Sequence, residues 1–375
     1  MKIMGEIKVN NATKKHKTNI MIACIALLLF VVILSGTALS LYAKNMMKKI
    51  PALSFDEALA YTLKDNEEAL ITVGIVKGGQ HSFMVYGNNG EVLSSQSHTY
   101  EIGSLTKTFT AALIAKDVQE GRLALEDTID MHLSLPKGTV YPTIAELLTH
   151  TSSYKPYYFE WPMVGNFLTR KNDFYGITKD MVKKKISSLH DSDTSHAFEY
   201  SNFGYAVLGL ILEEIHDHTY AFLVDEFIQH ELHLQNTRIT DRQGDLSNYW
   251  DWNVDDAYLP AGGIVSNIDD MLEYAHMLLD DERFSMMFSK PIKKINATSN
   301  RYEMLDIHMD FIGMAWIFDE QNDIIWHNGG TGHYNSYLGF DGESKTAVVI
   351  LSNLSPDTRL PSTVLGVKLM KELRK

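Results

Sequence analysis

A single cysteine, Cys24, stands in a chain of 375 residues, so no intrachain disulfide can brace the fold. It lies near the start of an apolar run rather than after it, which argues against a lipoprotein attachment site. Positive charge is scarce over most of the chain. Residues 1–50 hold eight lysines against the one acid Glu6, leaving 26 basic and 46 acidic groups, a net −20, beyond them. A body that acidic argues against nucleic acid as a partner. Several catalytic signatures are also missing. No Gly-x-Ser-x-Gly occurs, which excludes the nucleophile elbow of an α/β-hydrolase. No Gly-Lys-Ser/Thr follows a glycine-rich stretch, which excludes a phosphate loop. His216-Asp217-His218 and the run from His230 to His233 lack the His-Glu-x-x-His spacing of a zinc hydrolase, so neither a metal nor another cofactor is expected.

What is present begins with hydrophobicity. With 45% hydrophobic residues the chain can bury a large core. Ile20–Leu34 carries no charge, and the apolar stretch extends to Tyr42, which as a helix reaches roughly 34 Å and suffices for a hydrocarbon core of about 30 Å. Five lysines precede it and Lys44, Lys48 and Lys49 follow, a bias that favours a cytoplasmic N-terminus and an exported body. The expectation is a cytoplasmic tail and anchor over residues 1–50 and an extracytoplasmic domain over 51–375. The alternative is a cleaved signal with its small-residue site at Ala38-Leu39-Ser40, giving a secreted product.

Within the body, Ser54 to Glu57 forms a capping box opening a surface helix, and "KGGQ" between two apolar runs signals a hairpin, with the first part of the sheet expected over about residues 70–103. From Ser104 to about residue 304 the pattern is mainly helical, with a second capping box at Thr143 to Glu146 and apolar-rich runs at 203–215 and 266–279. Short β-branched or aromatic runs return from about 305 to 354, and a helix closes the chain. Strands at both ends with helices between predict an α+β fold: one antiparallel sheet built from the two chain ends, flanked by helices, with a helical region inserted. A small-ligand site is expected in the cleft between sheet and insertion.

Ser-x-x-Lys occurs three times, at Ser104 to Lys107, Ser134 to Lys137 and Ser152 to Lys155. Pro136 interrupts the second and Pro156 follows the third, so only Ser104 and Lys107 can share a clean helical face. The helix behind them is almost wholly apolar and therefore buried. A buried lysine loses proton affinity, which would let it take a serine proton near neutral pH. An N-capping serine with a snorkelling lysine is the plainer alternative.

Two further stretches hold polar residues beside apolar elements. "FEYSNFGYAVLGLILEEI" sets Tyr200 and Asn202 at the head of a helix, where Asn202 also suits an N-cap while Tyr200 has no such structural reason. "IIWHNGGTGHYNSYLGF" contains the only His-x-Gly of the chain, His327 to Gly329, followed by Gly330 and Gly332, which allow close backbone approach by a ligand.

In type and order these elements resemble the serine β-lactamase and penicillin-binding-protein superfamily, most closely its class C-like branch of β-lactamases, D-amino-acid peptidases and esterases. Supporting stretches are "IGSLTKTFTAALI", "EGRLALEDTI", "IAELLTHTS", "PAGGIVSNIDDM" and "HNGGTG". The resemblance implies a β-lactamase/transpeptidase-like fold, with Ser104 as acylated nucleophile, Lys107 and Tyr200 as a coupled proton-transfer pair, and Asn202 holding the substrate amide. It places His327 where many members have the lysine of Lys-Thr-Gly, and the oxyanion hole at the N–H groups of Ser104 and Gly330. The implied activity is hydrolysis of D-alanyl peptides or esters of the cell envelope, with a β-lactamase or a non-turnover penicillin-binding sensor as alternatives.

Three departures bear on that expectation. Ser153 replaces a usual glycine beside the site. His333 and Tyr334 replace the usual glycine and phenylalanine, which predicts a bulkier, more polar pocket wall. "LSNLSPD" lacks the asparagine pattern that class C β-lactamases use near the substrate carboxylate.

Overall fold

A computed structural model describes residues 25, 27–37, 48–189, 197–289, 292–296 and 300–374. The chain divides into two units, Met1–Leu53 and Ser54–Lys375. In the first, residues 27–37 are helical with exposed apolar side chains, Leu28 among them at 68%. The rest of the expected span Ile20–Tyr42 lies largely outside the described residues, as do Cys24 and Ala38-Leu39-Ser40. Among the described residues no helix is long and apolar enough to cross a membrane.

Among its described residues the second unit holds eleven strands: β1 (Ile71–Lys77), β2 (Gln80–Tyr86), β3 (Tyr100–Glu101), β4 (Arg238–Ile239), β5 (Ile264–Ser266), β6 (Lys293–Lys294), β7 (Phe311–Ile312), β8 (Ile317–Asp319), β9 (Ile324–Gly330), β10 (Asn335–Asp341) and β11 (Thr346–Ser352). Eight form an antiparallel sheet in the order β2-β1-β11-β10-β9-β8-β7-β6, which seats the N-terminal hairpin beside the last strand of the chain. Gly78 and Gly79 both take positive φ, 58° and 78°, the geometry a tight two-residue hairpin requires. Along β11, Ala347, Val349 and Leu351 face the main core while Val348 and Ile350 face the other side, so the central strands are covered on both faces.

The outer cover is the C-terminal helix Ser362–Leu373, where the ring of Tyr337 on β10 fills the space a Cβ at Gly366 would need. Inside lies the helical region. Helices form at α1 (Phe55–Leu63), α2 (Thr106–Gln119), α3 (Ile144–Leu148), α4 (Trp161–Thr169), α5 (Lys179–Ser188), α6 (Asn202–His216) and α7 (Ile268–Asp280), of which α4 and α5 had no individual signal in the sequence reading. Both capping boxes, Ser54 with Glu57 and Thr143 with Glu146, are made.

Three details depart from the sequence reading. Strand β3 belongs to a separate three-stranded sheet, β3-β5-β4, because Ile102 N–H turns to the Ile264 carbonyl at 3.1 Å and carries the chain away from the main sheet. The run "FIGMAWIF" is broken into β7 and β8 by a turn in which Ala315 adopts φ 71° and Gly313 N–H donates to the Trp316 carbonyl at 2.8 Å. Strand β6 extends the sheet to residues within the expected helical region.

The two sheets meet where the chain enters α2. A Cβ on Gly329 would lie 1.9 Å from the Ile102 carbonyl oxygen, and one on Gly103, whose φ is +50°, would lie 2.6 Å from the Gly330 nitrogen. Ser336 Oγ donates to that same Ile102 carbonyl at 2.7 Å. Gly103 and Gly329 therefore admit the chain's own backbone, while a Cβ on Gly330 would meet the Pro356 side chain and one on Gly332 the Trp250 ring nitrogen. Overpacking against rigid backbone costs roughly 1–3 kcal/mol. Gly329→Ala is expected to lower the unfolding free energy by about 1–3 kcal/mol, read as a lower urea midpoint at unchanged slope, and a wild-type midpoint would show that the junction yields freely.

Candidate active site

Helix α2 is polar inside, contrary to the impression its alanines and leucine give. Thr106, Thr108 and Thr110 are fully buried, and each hydroxyl is engaged. Thr106 Oγ1 accepts from Ile264 N–H at 3.1 Å, Thr108 Oγ1 donates to the Leu105 carbonyl at 2.8 Å, and Thr110 Oγ1 donates to the Pro260 carbonyl at 2.8 Å. Those bonds fix the first turn of α2 against β5 and the Leu259–Gly262 turn. Ser104 precedes it in a 3-10 turn, Gly103–Leu105, half-buried at the floor of a cleft of about 590 Å³.

Lys107 has no exposed surface. Its Nζ lies 3.0 Å from Ser104 Oγ, 2.8 Å from Asn202 Oδ1 and 2.7 Å from the Ala261 carbonyl oxygen. Among the described residues no carboxylate pairs with it, and burial pushes its pKa well below the ordinary lysine value. A neutral amine has two hydrogens and one lone pair. Asn202 Oδ1 and the Ala261 carbonyl can only accept, so they take the two hydrogens, and the lone pair is left for the serine O–H. The geometry thus suits proton transfer from Ser104 to Lys107.

Tyr200 is half-buried and hydrogen-bonded to Ser104, and its ring centroid lies 4.9 Å from Lys107 Nζ. Burial raises its pKa, with the Ser104 bond opposing, so the phenol keeps its proton at neutral pH. Asn202 begins α6 without capping it. Ser201 is the N-cap, accepting from Gly204 N–H at 2.9 Å, which frees the Asn202 amide for Lys107 and corrects the expectation that Asn202 doubles as a cap.

His327, Gly329 and Gly330 line the same cleft as Ser104 and Tyr200. His327 is buried, and desolvation pushes its pKa well below the ordinary imidazole value. The imidazole is neutral at physiological pH. Its Nδ1 lies 2.6 Å from the Asn328 carbonyl, to which it donates, leaving Nε2 as an acceptor. His327 therefore supplies no cation.

The three departures resolve differently. Ser153 holds φ +60°, the left-handed conformation that favours glycine, so the backbone shape survives the substitution. His333 is exposed, while Tyr334 is buried, stacked on Tyr249 at 5.2 Å with its hydroxyl donating to the Ser247 carbonyl at 2.7 Å. Neither lines the cleft, so the expected bulkier wall is not formed. "LSNLSPD" contributes Pro356 and Asp357 to the cleft, an exposed carboxylate where a carboxylate-binding asparagine was looked for.

Some members of the site were not anticipated. The Ala261 carbonyl lies in "PAGG", at a turn whose proline and glycines were the available signal. His150, in "LTHTS", packs its ring 4.5 Å from Tyr200 and 5.2 Å from Tyr205 and accepts at Nδ1 from Ser201 N–H. Glu101, an acid inside the apolar "YEIGS", is buried, accepting from Trp250 N–H at 2.5 Å and Thr331 Oγ1 at 2.6 Å. The other Ser-x-x-Lys pairs are apart from all this: Ser134, Lys137 and Lys155 are exposed. His216 is held by the buried Asp117 at 2.9 Å, and among the described residues no cluster could hold a metal.

The Beta-lactamase family matches residues 63–364. The chain belongs to the beta-lactamase family. Its fold is the β-lactamase/transpeptidase-like fold that the solved structures below share. Protein flp of Staphylococcus aureus (strain N315) is 22% identical over 336 residues, 80% of this chain, and the chain spans only 63% of that protein's length. Penicillin-binding protein 4* of Bacillus subtilis is 25% identical over 344 residues, 82% of this chain and 73% of that one. Among solved structures, a beta-lactamase/D-alanine carboxypeptidase from Yersinia pestis, complexed with citrate, superposes with a TM-score of 0.69 at 19% identity, over 88% of this chain and 99% of that one. A class C beta-lactamase from Rhodobacter sphaeroides gives 0.65 at 17%, over 87% and 100%.

Glu101 ties β3 to the glycine-rich segment after β9, and burial raises its pKa from 4.5 to about 7, against the pull of its two hydrogen bonds. A raised acid pKa stabilises the fold fully below about 4.5, and that contribution is lost as pH rises through about 7. Thermal unfolding of wild type is expected to weaken from pH 5 to 8 by up to on the order of 3 kcal/mol. Glu101→Gln should flatten that slope and be the more stable protein at pH 8. Parallel curves for the two proteins would remove Glu101 as the titrating group.

Proposed function

We propose that this beta-lactamase-family protein hydrolyses D-alanyl peptides or esters of the cell envelope through an acyl-enzyme on Ser104. The observation that carries the reading is the desolvated Lys107 amine, its two acceptor partners leaving the lone pair to the serine hydroxyl. Ser104 Oγ attacks the D-alanyl carbonyl, and its proton passes to Lys107. The oxyanion is received by the N–H groups of Ser104 and Gly330. As the tetrahedral adduct collapses, the bond to the leaving alcohol or amine breaks, and the leaving group takes a proton from Lys107 directly or by relay through the Tyr200 hydroxyl. Water then attacks the acyl-serine with the same pair returning the proton to Ser104 Oγ, and D-alanine, or the peptide ending in it, departs. In a peptide substrate, Asn202, held by Lys107, orients the amide.

The charges in the cleft favour the ester over the carboxypeptidase substrate. A leaving group that ends in a carboxylate meets neutral His327 and the Asp357 carboxylate. A neutral leaving group meets no such penalty, and the free ammonium of a D-alanyl ester suits an acidic rim. The same two residues weigh against an efficient β-lactamase. We further propose that Ile20–Tyr42 anchors the body at the outer face of the cell membrane. Carbonate washing should leave the intact chain in the membrane fraction, and a soluble product beginning near Leu41 would show a cleaved signal instead.

The reading is tested by two variants. Ser104→Ala should lose labelling by a fluorophosphonate or fluorescent penicillin probe, and labelling that persists there or maps to Ser134 or Ser152 would refute the nucleophile. Tyr200→Phe should retain the thermal midpoint while D-alanyl ester turnover falls by roughly 10²- to 10⁴-fold with little change in KM. A well-folded Tyr200→Phe with wild-type turnover would leave proton transfer to Lys107 alone, and wild-type acylation without turnover would identify a sensor.

A further inference from the structure

Helix α4 turns its apolar stripe the opposite way from every other helix of the body described above. Trp161, Val164, Gly165 and Leu168 recur at i, i+3, i+4 and i+7, the pattern that ordinarily faces a core. Here the stripe faces solvent. Trp161 is 78% exposed and Leu168 75%, with Phe167 beside them at 76%, while the buried positions are Met163 and the polar Asn166. Asn166 is satisfied inside, its Nδ2 donating to the Tyr175 carbonyl at 2.8 Å, so the helix is not misplaced by a turn. Tyr157 and Phe159, just before the helix, are exposed at 55% and 61% and border a shallow cavity of about 330 Å³ beside Val164 and Phe167. Leaving large apolar side chains in water forgoes about 1.5–3 kcal/mol each, and a contiguous patch of them marks a surface that something covers.

The surrounding charges say what covers it. In a body of net charge −20, cations gather here: Lys155 and Arg170 are exposed at either end of the segment, and Lys185 of α5 reaches within 4.8 Å of the Tyr158 ring. Lys171 is paired with Asp251, and the acids nearest in sequence are Glu160 and Asp173. Tryptophan and tyrosine over an apolar helical face, flanked by lysine and arginine, match the interfacial layer of a bilayer rather than the polar rim of a protein contact. We propose that the exposed face of α4, with Tyr157 and Phe159, inserts into the headgroup region of a membrane containing anionic lipid. The proposal shares its setting with the anchor reading of Ile20–Tyr42 but rests on different residues. Docking there is linked to the catalytic cleft, because the Pro156 carbonyl accepts from both Asn202 N–H at 3.1 Å and Phe203 N–H at 3.2 Å, and Tyr158 packs on Phe203 at 4.7 Å.

Tryptophan fluorescence of the full chain, reconstituted in phosphatidylglycerol/phosphatidylethanolamine vesicles, tests this directly. Trp250, Trp252, Trp316 and Trp326 are common to both proteins, so the difference between wild type and Trp161→Phe isolates the residue at the patch. The Trp161 component should be blue-shifted, quenched by lipids brominated near the headgroup, and shielded from aqueous iodide. Phe167→Asp/Leu168→Asp, at exposed positions outside the cleft, should restore iodide access with Ser104 labelling unchanged. A Trp161 signal that stays open to iodide and insensitive to brominated lipid would overturn the proposal. So would shielding that grows with protein density and ignores brominated lipid, which would mark the patch as a protein contact. Release of the chain by carbonate after a positive quenching result would count against the anchor alone.

Discussion

The structure turns on one desolvated amine. Lys107 is removed from water at the entry of a buried helix and offered two oxygen acceptors and one hydroxyl but no carboxylate. Burying an isolated ammonium is costly, and a lysine in that position relieves the cost by giving up its proton. The rest of the site keeps water and counter-charge away from it. Tyr200, Tyr205 and His150 pack around the amine as rings, with Tyr205 centred 5.5 Å from Nζ, and His150 is itself driven neutral by burial. A carboxylate added to this shell would restore the ammonium and abolish the acceptor.

Holding that arrangement requires three parts of the chain to meet with little freedom. Helix α2 is locked by its buried threonines to β5 and to the turn that carries Ala261. The 3-10 turn with Ser104 is pressed against β9 through Gly103 and Gly329, where no side chain fits. Helix α6 presents Asn202 because Ser201 has taken over the cap. The eight-stranded sheet supplies the wall against which the Ser104 turn is pressed, and its central strands are covered on both faces. The cleft offers a neutral imidazole and an exposed aspartate where a carboxylate-binding site would need fixed positive charge, which is the ground for proposing an ester substrate.

Much of this could be read from the sequence, and for physical reasons. Local chemistry was legible where it is self-contained: both capping boxes, the Gly78-Gly79 hairpin, and the choice among three Ser-x-x-Lys pairs, since Pro136 and Pro156 forbid two of them a helical face. The meeting of Ser104, Lys107, Tyr200, Asn202 and His327 was foreseen by resemblance of motif order and not by spacing, because those residues come from segments far apart in the chain. What escaped the sequence were contacts made by backbone or decided by tertiary packing. The Ala261 carbonyl has no side chain to advertise it. Glu101 looks like an ordinary strand residue until Trp250 and Thr331 close over it. Tyr334 reads as a pocket residue by position, yet it points into the core to stack on Tyr249. The stripe on α4 has the period of a core helix, and periodicity does not say which side is inside.

The central claim is that Ser104, deprotonated by a neutral Lys107, forms a covalent D-alanyl ester. Brief incubation of the full chain with a D-alanyl ester, acid quench and peptide mapping by mass spectrometry tests it most directly. The account predicts the mass of one D-alanyl group on the peptide containing Ser104, absent from Lys107→Arg, whose permanently charged side chain cannot accept the proton. Hydrolysis of the ester with no adduct at Ser104, or an undiminished adduct in Lys107→Arg, would contradict it.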